Sequence, residues 1–296
     1  MAASWPESEK MNSDADSNVP VRGNNMGRLL LDMGKLTPEG AEQVVRAAKE
    51  KGLRFGEAAV LLGLVSEADI QQVLAHQFEY PYLHTGQSKY PSELVAAFQP
   101  FSSHVETLRA VRSQLMLRWF SDQRKSLAIA CVDSGEGASF IAANLAVVFS
   151  QLGEHTLLVD ANLRTPRQHQ IFQLTQPQGL SDILVGRAGL DVIAKAEYFV
   201  DLSILAAGTL PPNPQELLSR TTFNDLASTL SRRYDVILYD VPAFSTAADV
   251  LAVSACAEGV MVVARKNQTR LSAISAMNEQ FERNNIEVVG SIMVDF

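Results

Sequence analysis

The sequence predicts an α/β fold, a mainly parallel sheet covered by helices on both faces, preceded by a small helical domain. Three observations predict it. From Leu127 onward, apolar strand-like runs alternate with helix-like segments. The first of these runs leads through a Gly-rich turn into an apolar helix, SLAIACVDSGEGASFIAANLAVVFSQLG. Ahead of it, residues 25–84 hold an internal repeat at an offset of 29, since Gly56 minus Gly27 and Gly63 minus Gly34 agree, and its periodicity is helical.

The elements follow in order. Residues 1–24 are polar, bury too little to order themselves and are expected to form a disordered leader. In residues 25–84 each repeat has a Gly, an apolar stretch, a second Gly, then Thr or Ser before a helical pattern. Thr37 with Pro38, and Ser66 with Glu67, are N-cap signals. Ala41, Val44, Val45 and Ala48 correspond to Ile70, Val73, Leu74 and Gln77, one apolar face per helix. Residues 85–103, with Pro, Gly, Ser and Gln, are expected to be a linker, and 104–296 the α/β domain. Its strands are expected at Leu127–Val132, Thr156–Val159, Leu202–Ala206, Val236–Tyr239, Gly259–Val263 and Val288–Met293.

Composition bounds what such a chain does. With 296 residues, 47% hydrophobic and 20% charged, there is room for one large core and a small second domain. A net charge of −8 argues against nucleic acid as a partner. The two cysteines, Cys131 and Cys256, lie far apart in apolar segments, as buried thiols of a cytoplasmic protein do. The N-terminus lacks the apolar core of a signal peptide. No uncharged apolar run reaches the roughly 18 residues of a transmembrane segment. Residues 247–264 come nearest, but with Asp249 and Glu258 they fit a helix feeding a buried strand. The histidines show no metal-ligand spacing.

The Gly-rich turn supplies the first candidate site. Gly135 and Gly137 let backbone approach a phosphate closely, and Glu136 between them is expected to be exposed. Ser139 opens the helix, where its hydroxyl suits Mg2+. In LLVDANLRTP an apolar strand delivers Asp160, followed by Asn162, Arg164 and Pro166. In YDVILYDVP another ends at Asp240. Two acidic residues at strand ends beside a phosphate loop suit a Mg2+ shell and a polarised nucleophile, the layout of a P-loop NTPase-like domain binding ATP. A Gly-rich turn or a strand-end Asp is common alone; three such elements in order are not. Arg265 and Lys266 after VMVVA either approach the nucleotide or cap the strand end.

Residues 104–296 resemble the bacterial tyrosine kinases of capsule and exopolysaccharide synthesis, relatives of the MinD/ParA ATPases, and most nearly the EpsG-type chain-length-determinant tyrosine kinases. The resemblance rests on GEGAS at 135–139, DANLRTP at 160–166, GLSDILVGRAGL at 179–190 and PPNPQELLSR at 211–220. It also rests on the Glu-x-x-Arg-x-x-Arg pattern of Glu106, Arg109 and Arg112. It implies Mg-ATP held by Gly135, Glu136, Gly137, Ser139 and Arg164, metal ligation by Ser139, Asp160 and Asp240, and Asp160 polarising an attacking tyrosine. It further implies homo-oligomer assembly through Glu106, Arg109 and Arg112. The implied partner is the cytoplasmic part of a membrane polysaccharide co-polymerase, which would hold the protein at the inner membrane.

Three departures accompany the resemblance. Ala138 stands where the family has Lys or Arg, and Asn162 where it has Asp. A tyrosine-rich tail is expected after the last strand, whereas this sequence ends at Phe296. A ParA-like positioning ATPase would add a Lys early in the loop, and Cys131 to Gly135 contains none. The repeat region resembles the N-terminal domain of type II secretion ATPases, some of which bind cyclic di-GMP. On that likeness Arg54, Gly56, Gly63 and Gln77 would form one half-site, and Gly27 and Gly34 part of a weaker one, with Asn25 and Ala48 in place of Arg and Gln. Two functions are thus expected: an autokinase controlling polysaccharide chain length, or a catalytically impaired pseudokinase scaffold gated by cyclic di-GMP.

Overall fold

The computed structural model describes residues 26–77, 83 and 88–295, which fall into two compact units divided between residues 78 and 79. The expected leader lies outside the described residues.

The first unit is helical and contains two copies of one pattern. Helices α1 (Met26–Asp32) and α2 (Pro38–Lys51) recur 29 positions on as α3 (Phe55–Leu61) and α4 (Glu67–Gln77). The Thr37 hydroxyl accepts from the Gly40 amide at 3.1 Å. Ser66 and Asp69 cap each other's amides at 3.2 and 3.0 Å. Gly34 and Gly63 both adopt the left-handed conformation (φ +65° and +66°) that ends α1 and α3. Gly27 and Gly56 do something else. A Cβ on Gly27 would lie 3.0 Å from the Phe55 ring, and one on Gly56 3.1 Å from the Met26 sulfur. Each glycine thus receives the residue that opens the other repeat. Val44 and Val73 are fully buried, whereas Val45, expected on the same face, is 57% exposed. The buried stripe is narrower than the sequence suggested.

The second unit is a seven-stranded sheet in the order β3-β4-β2-β5-β1-β6-β7. Its strands are β1 (Ser126–Cys131), β2 (Thr156–Asp160), β3 (Ala194–Lys195), β4 (Leu202–Leu205), β5 (Val236–Asp240), β6 (Gly259–Arg265) and β7 (Glu287–Val294). All neighbours are parallel except β3, a two-residue antiparallel edge strand that no periodicity announces. Both faces are covered: along β1, Leu127, Ile129 and Cys131 enter one core, and Ala128, Ala130 and Val132 the other. Helices α5 (Val95–Phe98), α6 (Ser103–Arg118), α7 (Ala138–Ser150) and α8 (Gln168–Ile171) precede α9 (Leu180–Leu184) and α10 (Pro214–Leu218). Helices α11 (Thr221–Ser231), α12 (Asp249–Cys256) and α13 (Leu271–Arg283) complete the layers.

The described part of 85–103 corrects the linker expectation. Tyr90, Leu94, Ala96 and Ala97 are buried in the core of this unit. Two polar side chains anchor them: Asn144 of α7 accepts from the Ala96 amide at 2.8 Å and donates to the Glu93 carbonyl at 3.0 Å, and Gln151 donates to the Ala96 carbonyl at 3.2 Å. No helix of the described residues is long and apolar enough to cross a membrane.

Candidate active site

The site lies at the C-terminal ends of β1, β2 and β5, where an open parallel sheet offers its crevice. Strand β1 delivers the loop 132–137 into α7, and Gly135 and Gly137 take φ of +87° and +97°. A side chain on either would be strained. Gly135, Gly137, Ala138 and Ser139 line a cavity of about 520 Å3, opposite Asn162 and Arg167.

Glu136 corrects its expectation of exposure: it is fully buried. Its Oε2 accepts from the amides of Val132 and Asp133 at 2.9 and 3.0 Å, and its Oε1 accepts from the Thr269 hydroxyl. Buried carboxylates need such donors, so Glu136 braces the loop from behind rather than facing the cavity. Arg265, at the end of β6, donates to the Gly135 carbonyl at 3.4 Å, tying the loop to the same strand end.

Asp160 and Asp240 are register partners on adjacent parallel strands, both fully buried. Asp160 Oδ2 accepts from the amides of Arg167 and Gln168 at 3.0 and 2.9 Å, and Oδ1 from the Asn162 amide at 3.3 Å. Burial, then the Asp240 charge, push its carboxyl well above the usual range despite those bonds. Asp240 Oδ2 accepts from the Gln168 side chain at 2.7 Å, while Oδ1 has no hydrogen-bond partner. Burial raises Asp240 to about 6, against the opposing hydrogen bonds of Gln168 and Ser139.

Gln168 was not legible as a site residue. It is fully buried, donates also to the Ser139 carbonyl at 3.1 Å, and its Oε1 lacks a partner. Two buried acceptors, Asp240 Oδ1 and Gln168 Oε1, are orphaned on residues that also bond Ser139, whose hydroxyl is bonded to Asp240. Such an oxygen-rich set fits a hard divalent cation such as Mg2+.

Other expected site residues lie elsewhere. Arg164 forms a bidentate ion pair with the fully buried Asp249 at 2.8 and 3.1 Å and does not line the cavity. Asn162 closes a turn by accepting from the amides of Arg164 and Thr165 at 3.3 and 3.0 Å. Glu106 and Arg109 pair with each other along α6, whereas Arg112 turns inward to the Val148 carbonyl at 2.7 Å. In the first unit Arg54 is exposed at the start of α3, and the side chain of Gln77 lies outside the described residues. The glycines divide: Gly27 and Gly56 serve packing, while Gly34 and Gly63 have open space around them.

Comparisons with known proteins agree with this fold. The profile of the family described as cellulose biosynthesis protein BcsQ matches residues 124–280. The chain is 32% identical over 206 residues to the tyrosine-protein kinase YwqD of Bacillus subtilis, covering 70% of this chain and 87% of that one. It is 32% identical over 202 residues to the tyrosine-protein kinase wzc of Salmonella typhi, covering 68% of this chain but only 28% of that longer protein. The crystal structure of the chimerical protein CapA2B2 superposes with a TM-score of 0.65 at 32% identity, over 76% of this chain and 97% of that one. The cell division ATPase MinD of Pyrococcus furiosus shares the fold, with a TM-score of 0.50 at 20% identity over 57% of this chain and 71% of that one.

Proposed function

The chain belongs to the bacterial tyrosine-kinase family of exopolysaccharide synthesis, and from that premise we propose that it is a Mg-ATP-dependent tyrosine autokinase controlling polysaccharide chain length. The observation that carries the reading is the Asp160–Asp240 pair, fully buried in register at the strand ends from which the walls of a glycine-lined cavity rise, with neither carboxylate itself lining it. The α7 N-terminus and the backbone at Gly135 and Gly137 receive the phosphates. Ser139 and Asp240 hold Mg2+, which when bound neutralises charge developing on the transferred phosphoryl group. Asp160 Oδ1, with one long contact, accepts the proton of the attacking tyrosine hydroxyl. Homo-oligomers form through α6, and the cytoplasmic part of a membrane co-polymerase places the protein peripherally at the inner membrane.

One observation favours a second reading, a pseudokinase scaffold. Ala138 is buried where the family carries a cation, so no charge enters the cavity from the loop. In that case cyclic di-GMP at the open Gly34 and Gly63 turns and Arg54 would gate the scaffold.

Calorimetric titration with Mg-ATP separates the two. Saturable binding, followed by an anti-phosphotyrosine signal on incubation, supports the autokinase. An absence of binding at millimolar nucleotide removes it and leaves cyclic di-GMP as the ligand to titrate next.

A further inference from the structure

We infer that Arg167 supplies, from the opposite wall, the phosphate-binding cation that the loop lacks at Ala138, and that Glu93 holds it in reserve. The inference rests on the nucleotide reading above and deepens it.

Three observations place Arg167. First, its backbone is fixed at the site: its amide donates to Asp160 Oδ2 at 3.0 Å, so its Cα is tied to the β2 end. Second, among the described residues lining the 520 Å3 cavity, Arg167 is the charged one. The loop contributes glycines, serines and an alanine, and the β5 end contributes Val241, Pro242 and Ala243. A triphosphate entering this cavity meets backbone amides and hydroxyls on one side and this guanidinium on the other. Third, its neighbours Thr165, Pro166 and Gln170 line the same cavity, so the segment that carries Arg167 forms one of its walls.

The side chain is half-exposed and clamped by Glu93, whose two oxygens each accept from Nη2 at 3.0 Å. That clamp is well braced, because the Glu93 carbonyl is held by Asn144 of α7. Glu93 engages Nη2 alone, so a phosphate meets a guanidinium whose charge is partly offset and competes with Glu93 for that nitrogen rather than for the whole fork. Glu93 therefore lowers nucleotide affinity while keeping Arg167 aligned.

The test is calorimetry of Mg-ATP binding to the full chain and four variants, each first checked for an unchanged unfolding midpoint. Arg167→Ala is expected to weaken binding about tenfold or more, the scale of a charge-assisted contact. Glu93→Gln is expected to tighten it several-fold. Ala138→Lys is expected to restore binding in the Arg167→Ala background while adding less to the unmodified chain, a rescue that a purely structural role for Arg167 would not produce. If the unmodified chain binds and Arg167→Ala binds equally well, the inference is overturned and the nucleotide reading stands. If the unmodified chain does not bind at all, both fall. Should Arg167→Ala not fold, Glu93→Gln decides: tighter binding supports the inference, and unchanged affinity overturns it.

Discussion

The two site carboxylates are held so differently that the same substitution should have opposite effects on them. Asp160 receives three backbone donors, and an amide there would turn an N–H2 group against one of them. Asp160→Asn is expected to cost about 1–3 kcal/mol in chemical denaturation, the scale of an unsatisfied buried donor. Asp240 is bonded by the side chains of Gln168 and Ser139, and its Oδ1 is bare. Asp240→Asn keeps an acceptor for Gln168 and removes a buried charge, so it should raise the unfolding temperature at pH 7 while abolishing metal-dependent nucleotide binding. The pH dependence follows the same logic. Asp240 titrates at about 6 in the folded chain against about 4 when unfolded, so the folded state keeps a proton that the unfolded one releases. That contribution is full below about pH 4 and is lost as pH rises through 6. The unmodified chain should lose stability across this window, and Asp240→Asn should flatten the loss. A profile rising from pH 4 to 6 would contradict the assignment. Both aspartates were legible because each ends an apolar run at a strand terminus. The bracing role of Glu136 and any role of Gln168 were not: a polar residue in a loop or two places past a proline carries no sign, in a single sequence, of the partners that tertiary folding brings to it.

At the scale of elements, the six main strands were legible from composition because a strand buried on both faces is apolar throughout. The segment 88–98 reads as a linker because its Pro and Ser are ordinary loop residues, while its anchor, Asn144, sits about 50 positions away in a helix. The repeat unit was legible in its periodicity, yet the packing of Gly27 on Phe55 and of Gly56 on Met26 was not, because it depends on how the two halves cross. The anchor gives a direct prediction. Asn144→Ala leaves the Ala96 amide and the Glu93 carbonyl without their bonds in a buried setting. About 2–4 kcal/mol of stability should be lost, from two unsatisfied groups. Cleavage by a nonspecific protease should appear first within residues 88–102, and a first cut elsewhere would argue that other contacts hold the segment. Because Glu93 belongs to this segment, the variant should also loosen the clamp on Arg167, linking an element's packing to the site.

At the scale of the whole molecule, assembly and stability should separate along one helix. The three α6 residues were proposed as a unit, but the fold divides their work. Arg112 reaches the carbonyl of Val148 in the last turn of α7, where a cation offsets the partial negative charge of the helix end. Its removal should lower stability by about 1–2 kcal/mol in any oligomeric state. Glu106 and Arg109 form an i,i+3 pair on which Glu106 is 62% exposed. Such a pair adds only about 0.2–0.5 kcal/mol to a helix. Replacing Glu106 by alanine, and Arg109, which is only 16% exposed, by lysine, which keeps its packed stem, should therefore leave the unfolding midpoint almost unchanged. If α6 mediates self-association, the same double variant should nonetheless reduce the mass seen by light scattering, since a subunit contact is lost without a change in the subunit. Arg112→Ala should reduce that mass only under conditions where the chain also begins to unfold. An oligomer that survives the double variant at full mass would place the contact on another surface. An unmodified chain that stays monomeric at high concentration would remove α6 from assembly altogether and leave Arg112 as a cap of α7.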